Sequence, residues 1–144
     1  MIHVTNTPLD PDDFTTEVRK DSNGAVVTFL GTTRNSNEGR NVLYLEYEAY
    51  QPMADKTLGQ IAQEVSDKWG ISDFAIAHRT GRVEIGEISL VVAIASPHRE
   101  KAFEALKYAV DRIKEIVPIW KKEFFEGGEV WVGSEHESLR VSQS

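Results

Sequence analysis

Hydrophobic and polar positions change their period along the chain, and each change marks a predicted strand or helix. Gly24 to Leu30 is a short apolar run that predicts a buried strand. It is followed by a polar loop that ends at Gly39. Between Val42 and Ala49 apolar and polar residues alternate, which is typical of a half-buried strand with Leu43 and Leu45 on one face.

Further strands are predicted in the second half of the chain. Residues 72–78 favour one strand and residues 88–95 another, and the second is nearly all apolar, which favours a central position in a sheet. The closing segment, residues 121–133, predicts a hairpin that turns at Gly127-Gly128.

Helical spacing predicts three helices. A short one is predicted after Asp10, with Pro11 at its first position, and a second runs from Pro52 to Trp69, where Gly70 stops it. The longest is predicted to begin at Ser96-Pro97, with Ser as the N-cap, and to end near Pro118. Its expected buried stripe is Phe103, Leu106, Val110, Ile113 and Val117.

The order of these elements predicts an α+β fold, because strands and helices mix without a regular βαβ rhythm. The length of 144 residues is close to that of one domain. We therefore expect a single domain spanning residues 1–144, with a polar tail from about residue 134 to 144.

Charge and composition exclude several classes of function. Lys and Arg together number 16 and Asp and Glu 23, a net charge of −7, which argues against general nucleic-acid binding and against docking on an anionic membrane. The chain has no cysteine, so thiolate metal sites and a cysteine nucleophile are excluded, and any sulfur must arrive on another molecule. The first residues carry no recognisable signal peptide, and a cytoplasmic protein is expected.

The few cations are candidate site residues. Arg34 lies in the polar loop after the first strand, and His98-Arg99 lie at the start of the long helix, where free N–H groups favour an anion. Each alone is more often a solvated surface residue than a functional one. Lys114 lies at the edge of the predicted buried stripe, where it either extends its ammonium to water or lines a partly desolvated pocket. This pattern favours a small phosphorylated anion, and the four histidines show no metal-ligand spacing.

Five segments, taken together, carry a family resemblance. They are GAVVTFLGTTRN, LEYEAYQPMA, HRTGRVEIGE, SPHREKAFEA and DRIKEIVPIWKKE. In this order, from about Gly24 to Trp131, they closely resemble the large catalytic subunit of molybdopterin synthase, the MoaE family.

The resemblance implies an enzyme of molybdenum cofactor biosynthesis. Such an enzyme converts cyclic pyranopterin monophosphate (precursor Z) into molybdopterin by adding two sulfurs. The sulfurs come from the thiocarboxylated C-terminus of a small ubiquitin-like carrier subunit, the MoaD family. The implied assembly is a central homodimer with one small subunit at each end, a heterotetramer without a cofactor or a metal. The implied fold is an α/β hammerhead with an additional antiparallel sheet.

The same resemblance implies the site residues. Lys114 and Lys121 are the implied catalytic residues. The implied substrate-binding residues are Thr32, Thr33, Arg34, His98, Arg99, Lys114, Lys121, Lys122 and Glu123. Some relatives supply a further arginine from the neighbouring protomer, and the motifs do not assign Arg140 to that position. Two rival hypotheses are a non-catalytic dimeric interaction module and a generic phospho-ligand-binding protein.

Overall fold

Three helices and nine strands make up the part of the chain that the computed structural model describes, residues 1–132. The helices are α1 (Pro11–Val18), α2 (Gln51–Trp69) and α3 (Arg99–Ile116). The strands are β1 (Ile2–Thr5), β2 (Ala25–Thr32), β3 (Ser36–Asn37), β4 (Arg40–Ala49), β5 (Phe74–Arg79), β6 (Gly81–Glu84), β7 (Ile88–Ser96), β8 (Ile119–Phe125) and β9 (Gly128–Val132). The predicted polar tail and Arg140 lie outside the described residues.

The strands form two sheets. The first has the order β1-β5-β7-β2, in which β1 and β5 run parallel and the other neighbours antiparallel. The second is antiparallel throughout, with the order β3-β4-β8-β9 and β6 paired to β4. The predicted α+β class with an additional antiparallel sheet is confirmed.

The central strand β7 is buried on both faces, as its apolar sequence predicts. Val92 and Ile94 point into the core shared with α2 and α3, while Val91 and Ala93 pack in the smaller core beneath α1. The first sheet is therefore covered by one helix on one side and by two helices on the other.

The start of α3 differs from the prediction. Ser96 is the last residue of β7, and the helix begins at Arg99 with His98 as an N-cap that makes no side-chain capping bond. The Ser96 hydroxyl instead donates to the carbonyl oxygen of His98. At 18 residues α3 is also one residue shorter than α2, which has 19.

The buried face of α3 is narrower than predicted. It consists of Ala102, Ala105, Ala109 and Ile113, whereas Phe103 is 58% exposed. Alanines allow the helix to approach the sheet closely, and this close packing turns the predicted aromatic position toward solvent.

Two predicted strands differ in burial. Strand β2 is the edge strand of its sheet and leaves Val26 and Leu30 exposed, so it is half-buried rather than buried. In β4 a bulge between Val42 and Tyr44 interrupts the alternation. Because of the bulge, Leu45 is buried while Leu43 faces out.

The shortest strands were not predicted from the sequence. Strands β1, β3 and β6 have two to four residues each, too few for a period to show. The hairpin between β8 and β9 pairs Phe125 with Gly128, so its loop is Glu126-Gly127, one residue earlier than predicted, with Gly127 at φ 98°. None of the helices within residues 1–132 is long and apolar enough to cross a membrane.

A close backbone contact joins the start of β2 to the start of α3. A Cβ added at Gly24 would lie 2.7 Å from the carbonyl oxygen of Pro97, which is closer than any real Cβ contact. We expect Gly24→Ala to lower the free energy of unfolding by about 1–3 kcal/mol.

The matched control is Gly59→Ala in α2, where the nearest atom is 3.8 Å away. Gly59→Ala should raise stability by about 0.5–1 kcal/mol, because alanine is the better helix former. Urea denaturation measures both, and equal effects would contradict the contact.

Candidate active site

A cavity of about 540 Å³ lies where the end of β2, the end of α3 and strand β8 meet. It is bounded by aliphatic, aromatic, neutral polar and cationic side chains. Its lining residues are Phe29, Leu30, Gly31, Thr32, Arg34, Tyr47, His78, Ser89, Leu90, Ile113, Lys114, Val117, Ile119, Lys121 and Val132.

Three cations from separate stretches of the chain share this cavity: Arg34, Lys114 and Lys121. Helix α3 ends at Ile116 and β8 begins at Ile119, so the short reversal between them brings both lysines to the same wall. Burial lowers the pKa of Lys121, attraction to the Glu123 carboxylate opposes this shift, and repulsion from Lys114 and Arg34 adds to it. The cavity therefore concentrates positive charge in an acidic protein.

A neutral polar wall faces these cations. Tyr47 is the cross-strand partner of Lys121 in the β4–β8 ladder, and its ring meets His78 edge-on at 5.0 Å between centroids. Burial raises the pKa of the Tyr47 hydroxyl, while a hydrogen bond with Ser89 opposes the shift. This wall can offer hydrogen bonds to a ligand without adding charge.

His78 is an uncharged member of that wall. Burial lowers its pKa to about 4, so the ring is neutral at physiological pH. Its Nδ1 lies 2.9 Å from the carbonyl oxygen of Arg79, so the neutral ring carries its proton there and leaves Nε2 as an acceptor. Tyr47, His78 and Ser89 were not among the predicted site residues. The signal that could have indicated them is a polar side chain within a largely apolar strand.

Two further predicted residues do not line the cavity but hold the chain around Arg34. Thr33 is buried, and both its N–H and its hydroxyl donate to the carbonyl oxygen of Glu87, at 3.1 and 3.3 Å. Glu123 is 2% exposed and accepts hydrogen bonds from Asn37 at 2.9 Å and Arg40 at 3.0 Å. Both fix the position of the polar loop rather than face the cavity.

Lys122 points to the other face of the second sheet. It forms an ion pair with Glu129 at 3.1 Å and lies over the rings of Phe124 and Trp131. Its neighbour Lys121 faces the cavity because successive side chains of a strand alternate.

His98 and Arg99 lie in a second hollow, at the start of α3, together with Ser96, Pro97, Glu100 and Lys101. Within one protomer the structure does not bring them to the cavity of Lys121. Of the predicted site residues, it brings together Thr32, Arg34, Lys114 and Lys121.

Comparison with known proteins places the chain in a family. The family model described as MoaE protein matches residues 4–116. A molybdopterin synthase catalytic subunit from Bacillus subtilis is 47% identical over 135 residues, covering 94% of this chain and 86% of the relative. The corresponding subunit from Halalkalibacterium halodurans is 52% identical over 115 residues, covering 80% of this chain and 74% of the relative.

Solved structures agree. The crystal structure of molybdopterin synthase from Staphylococcus aureus superposes with a TM-score of 0.87 at 44% identity, covering 91% of this chain and 96% of that one. A complex of subunits 1 and 2 of molybdopterin-converting factor from Helicobacter pylori is 20% identical, with a TM-score of 0.77 over 93% and 91% of the two chains, and shares the fold. The chain therefore belongs to the MoaE family of molybdopterin synthase catalytic subunits, enzymes of molybdenum cofactor biosynthesis.

Proposed function

We propose that the cavity of Arg34, Lys114 and Lys121 is where this subunit converts cyclic pyranopterin monophosphate into molybdopterin. The observation that carries the proposal is the convergence of these three cations on one cavity in a chain of net charge −7. A local positive pocket on a negative protein attracts a small phosphorylated anion while repelling polyanions. The proposed enzyme works in the cytoplasm as a single domain of residues 1–144.

Arg34 is the proposed anchor for the substrate phosphate. Its guanidinium is permanently charged and presents a planar set of donors that suits phosphate oxygens. The loop around it is fixed by the bonds of Thr33 and Glu123, so little ordering is required when the substrate binds.

The sulfur is proposed to arrive on a small carrier subunit. The chain has no cysteine, so it cannot carry the sulfur itself. The Helicobacter pylori relative of the same fold is described as a complex of two subunits, which supports a partner of this kind. We propose that the extended C-terminus of a MoaD-family subunit enters the cavity and places its thiocarboxylate beside the bound pterin.

The two lysines are proposed to perform the proton transfers and to stabilise charge. Because its pKa is lowered, Lys121 is neutral in a larger share of molecules than an exposed lysine, and it can accept a proton and return it. Lys114 is exposed and lines the same cavity, where its side chain can donate to the oxygen on which negative charge develops.

His98 and Arg99 are proposed to reach the site from a second protomer. They lie in a separate hollow of their own protomer, so a role in substrate binding requires a homodimer in which this hollow faces the neighbouring cavity. The proposed assembly is this homodimer with one small subunit on each side.

In vitro conversion of the cyclic pterin tests the proposal. Product should form with the thiocarboxylated small subunit and not with its carboxylate form. Binding of the small subunit without any product would favour the interaction module. Tight binding of the pterin without a requirement for the sulfur donor would favour a phospho-ligand-binding protein.

A further inference from the structure

An ion pair beside the cavity connects two of the segments that form its wall. Arg79 at the end of β5 contacts Glu87 before β7, with 3.2 Å between Nη1 and Oε2. His78, which precedes Arg79, and Ser89, two residues after Glu87, line the cavity, whereas Arg79 and Glu87 are not among its lining residues. The pair therefore adjoins the cavity wall without being part of the cavity lining.

Glu87 stabilises the turn formed by residues 84–87, of which it is the last residue. Its backbone N–H donates to the carbonyl oxygen of Glu84 at 3.0 Å, and its Oε1 accepts from the backbone N–H of Glu84 at 2.8 Å. Gly86 occupies the third position of the turn at φ 82°, a conformation that favours glycine. The backbone bond from Glu84 and the nearby guanidinium of Arg79 both lower the pKa of Glu87, so it is charged at neutral pH.

This turn is bonded to the loop that carries Arg34. We call residues 33–35 the Arg34 loop. The carbonyl oxygen of Glu87 accepts both donors of Thr33, and the N–H of Gly86 donates to the carbonyl oxygen of Thr33 at 2.9 Å. Three hydrogen bonds thus attach the residue next to Arg34 to the turn that Glu87 organises.

Arg79 depends on Glu87 for its charge balance. Its side chain is 12% exposed, and its Nε is buried without a hydrogen-bond partner in the described part of the chain. A nearly buried guanidinium that loses its carboxylate is costly and drives local rearrangement. Any rearrangement at this point moves the acceptor of Thr33.

We propose that the Arg79–Glu87 ion pair is a positioning element that sets the Arg34 loop for binding of the substrate phosphate. The inference rests on the proposed function of Arg34 and extends it to two residues that do not touch the ligand. Breaking the pair should therefore weaken binding of the cyclic pterin only when Arg34 is present. The rate of the chemical step, kcat, should not change.

Glu87→Gln is the first test variant, because its amide oxygen can still accept from Glu84 while the charge on Arg79 is left unbalanced. We expect the Kd for the cyclic pterin, measured by calorimetry without sulfur donor, to rise about tenfold. The kcat with the thiocarboxylated partner at saturating substrate should stay within about twofold of the parent value. Glu84→Gln is the matched control on the same turn, since that carboxylate pairs only with exposed Arg82 among its described side-chain contacts.

A double-mutant cycle with Arg34→Ala distinguishes positioning from general destabilisation. If Glu87 acts through Arg34, Glu87→Gln should change the Kd by less than about twofold once Arg34 is absent. An equal loss in both backgrounds, or no loss in the parent, would overturn the inference while leaving the function of Arg34 intact. If Arg34→Ala alone leaves the Kd unchanged, the phosphate site fails, and the inference fails with it. If Glu87→Gln does not fold, Arg79→Gln replaces it, because it removes the other member of the ion pair. The same double-mutant cycle with Arg34→Ala is then measured.

Discussion

Replacing Lys121 with Met should reduce turnover about a hundredfold or more, because it removes a proton-transfer group from the cavity. Met keeps most of the side-chain volume, so the cavity retains its shape. The measurement is kcat with saturating cyclic pterin and pre-thiocarboxylated small subunit. The control is Lys107→Met, an exposed lysine on α3 whose ammonium pairs with Asp111 at 2.8 Å. Turnover close to the parent value in Lys121→Met would remove this residue from the chemistry.

The same substitution should raise thermal stability at neutral pH. The pKa of Lys121 is lowered in the folded state, so the protonated side chain costs stability there. As pH rises through the folded pKa toward 10.5, the folded state has lost its proton while the unfolded state still holds one, and stability increases. The advantage in Tm of Lys121→Met should therefore shrink at alkaline pH. A constant advantage would contradict the burial argument.

Arg34→Ala should raise the KM for the cyclic pterin by about ten- to a hundredfold, because it removes a charged donor from the phosphate site. The kcat at saturation should fall much less than in Lys121→Met, since Arg34 is assigned to binding rather than to proton transfer. The control is Arg82→Ala, because Arg82 lies over the Tyr44 ring on the exposed part of the second sheet. An unchanged KM for Arg34→Ala would exclude it from the phosphate site.

Local patterns predicted the larger elements because burial imposes its own period on them. The uninterrupted apolar run of β7 indicated a strand buried on both faces, and α2 ends at Gly70 in the left-handed conformation at φ 67°, as its sequence indicates. The same reasoning failed on α3, since contact with the sheet favours a narrow face of alanines and leaves Phe103 exposed. Periodicity alone does not distinguish a helix packed closely on a sheet from one packed through large side chains.

The candidate site was predicted less completely, because long-range contacts decide which side chains face it. The pattern of cations indicated Arg34 and Lys114, the resemblance to a known family added Lys121, and the structure places all three on one cavity. The role of Glu123 in substrate binding stays a prediction, and its carboxylate accepts from Asn37 and Arg40, which are 86 and 83 residues away in the chain. No local spacing contains that information.

Complementation between inactive protomers tests the central claim that cations from distant stretches act in one cleft, part of it supplied by the dimer partner. Lys121→Met and Arg99→Ala protomers are co-expressed with different tags, and dimers that carry both tags are isolated. The assay uses cyclic pterin below the parent KM, where both parental variants should have little activity. If Lys121 of one protomer works with Arg99 of the other, each hybrid holds one intact site of two and should show about half of the parent activity. Hybrids as inactive as their parents, or an Arg99→Ala dimer with full activity, would contradict the account.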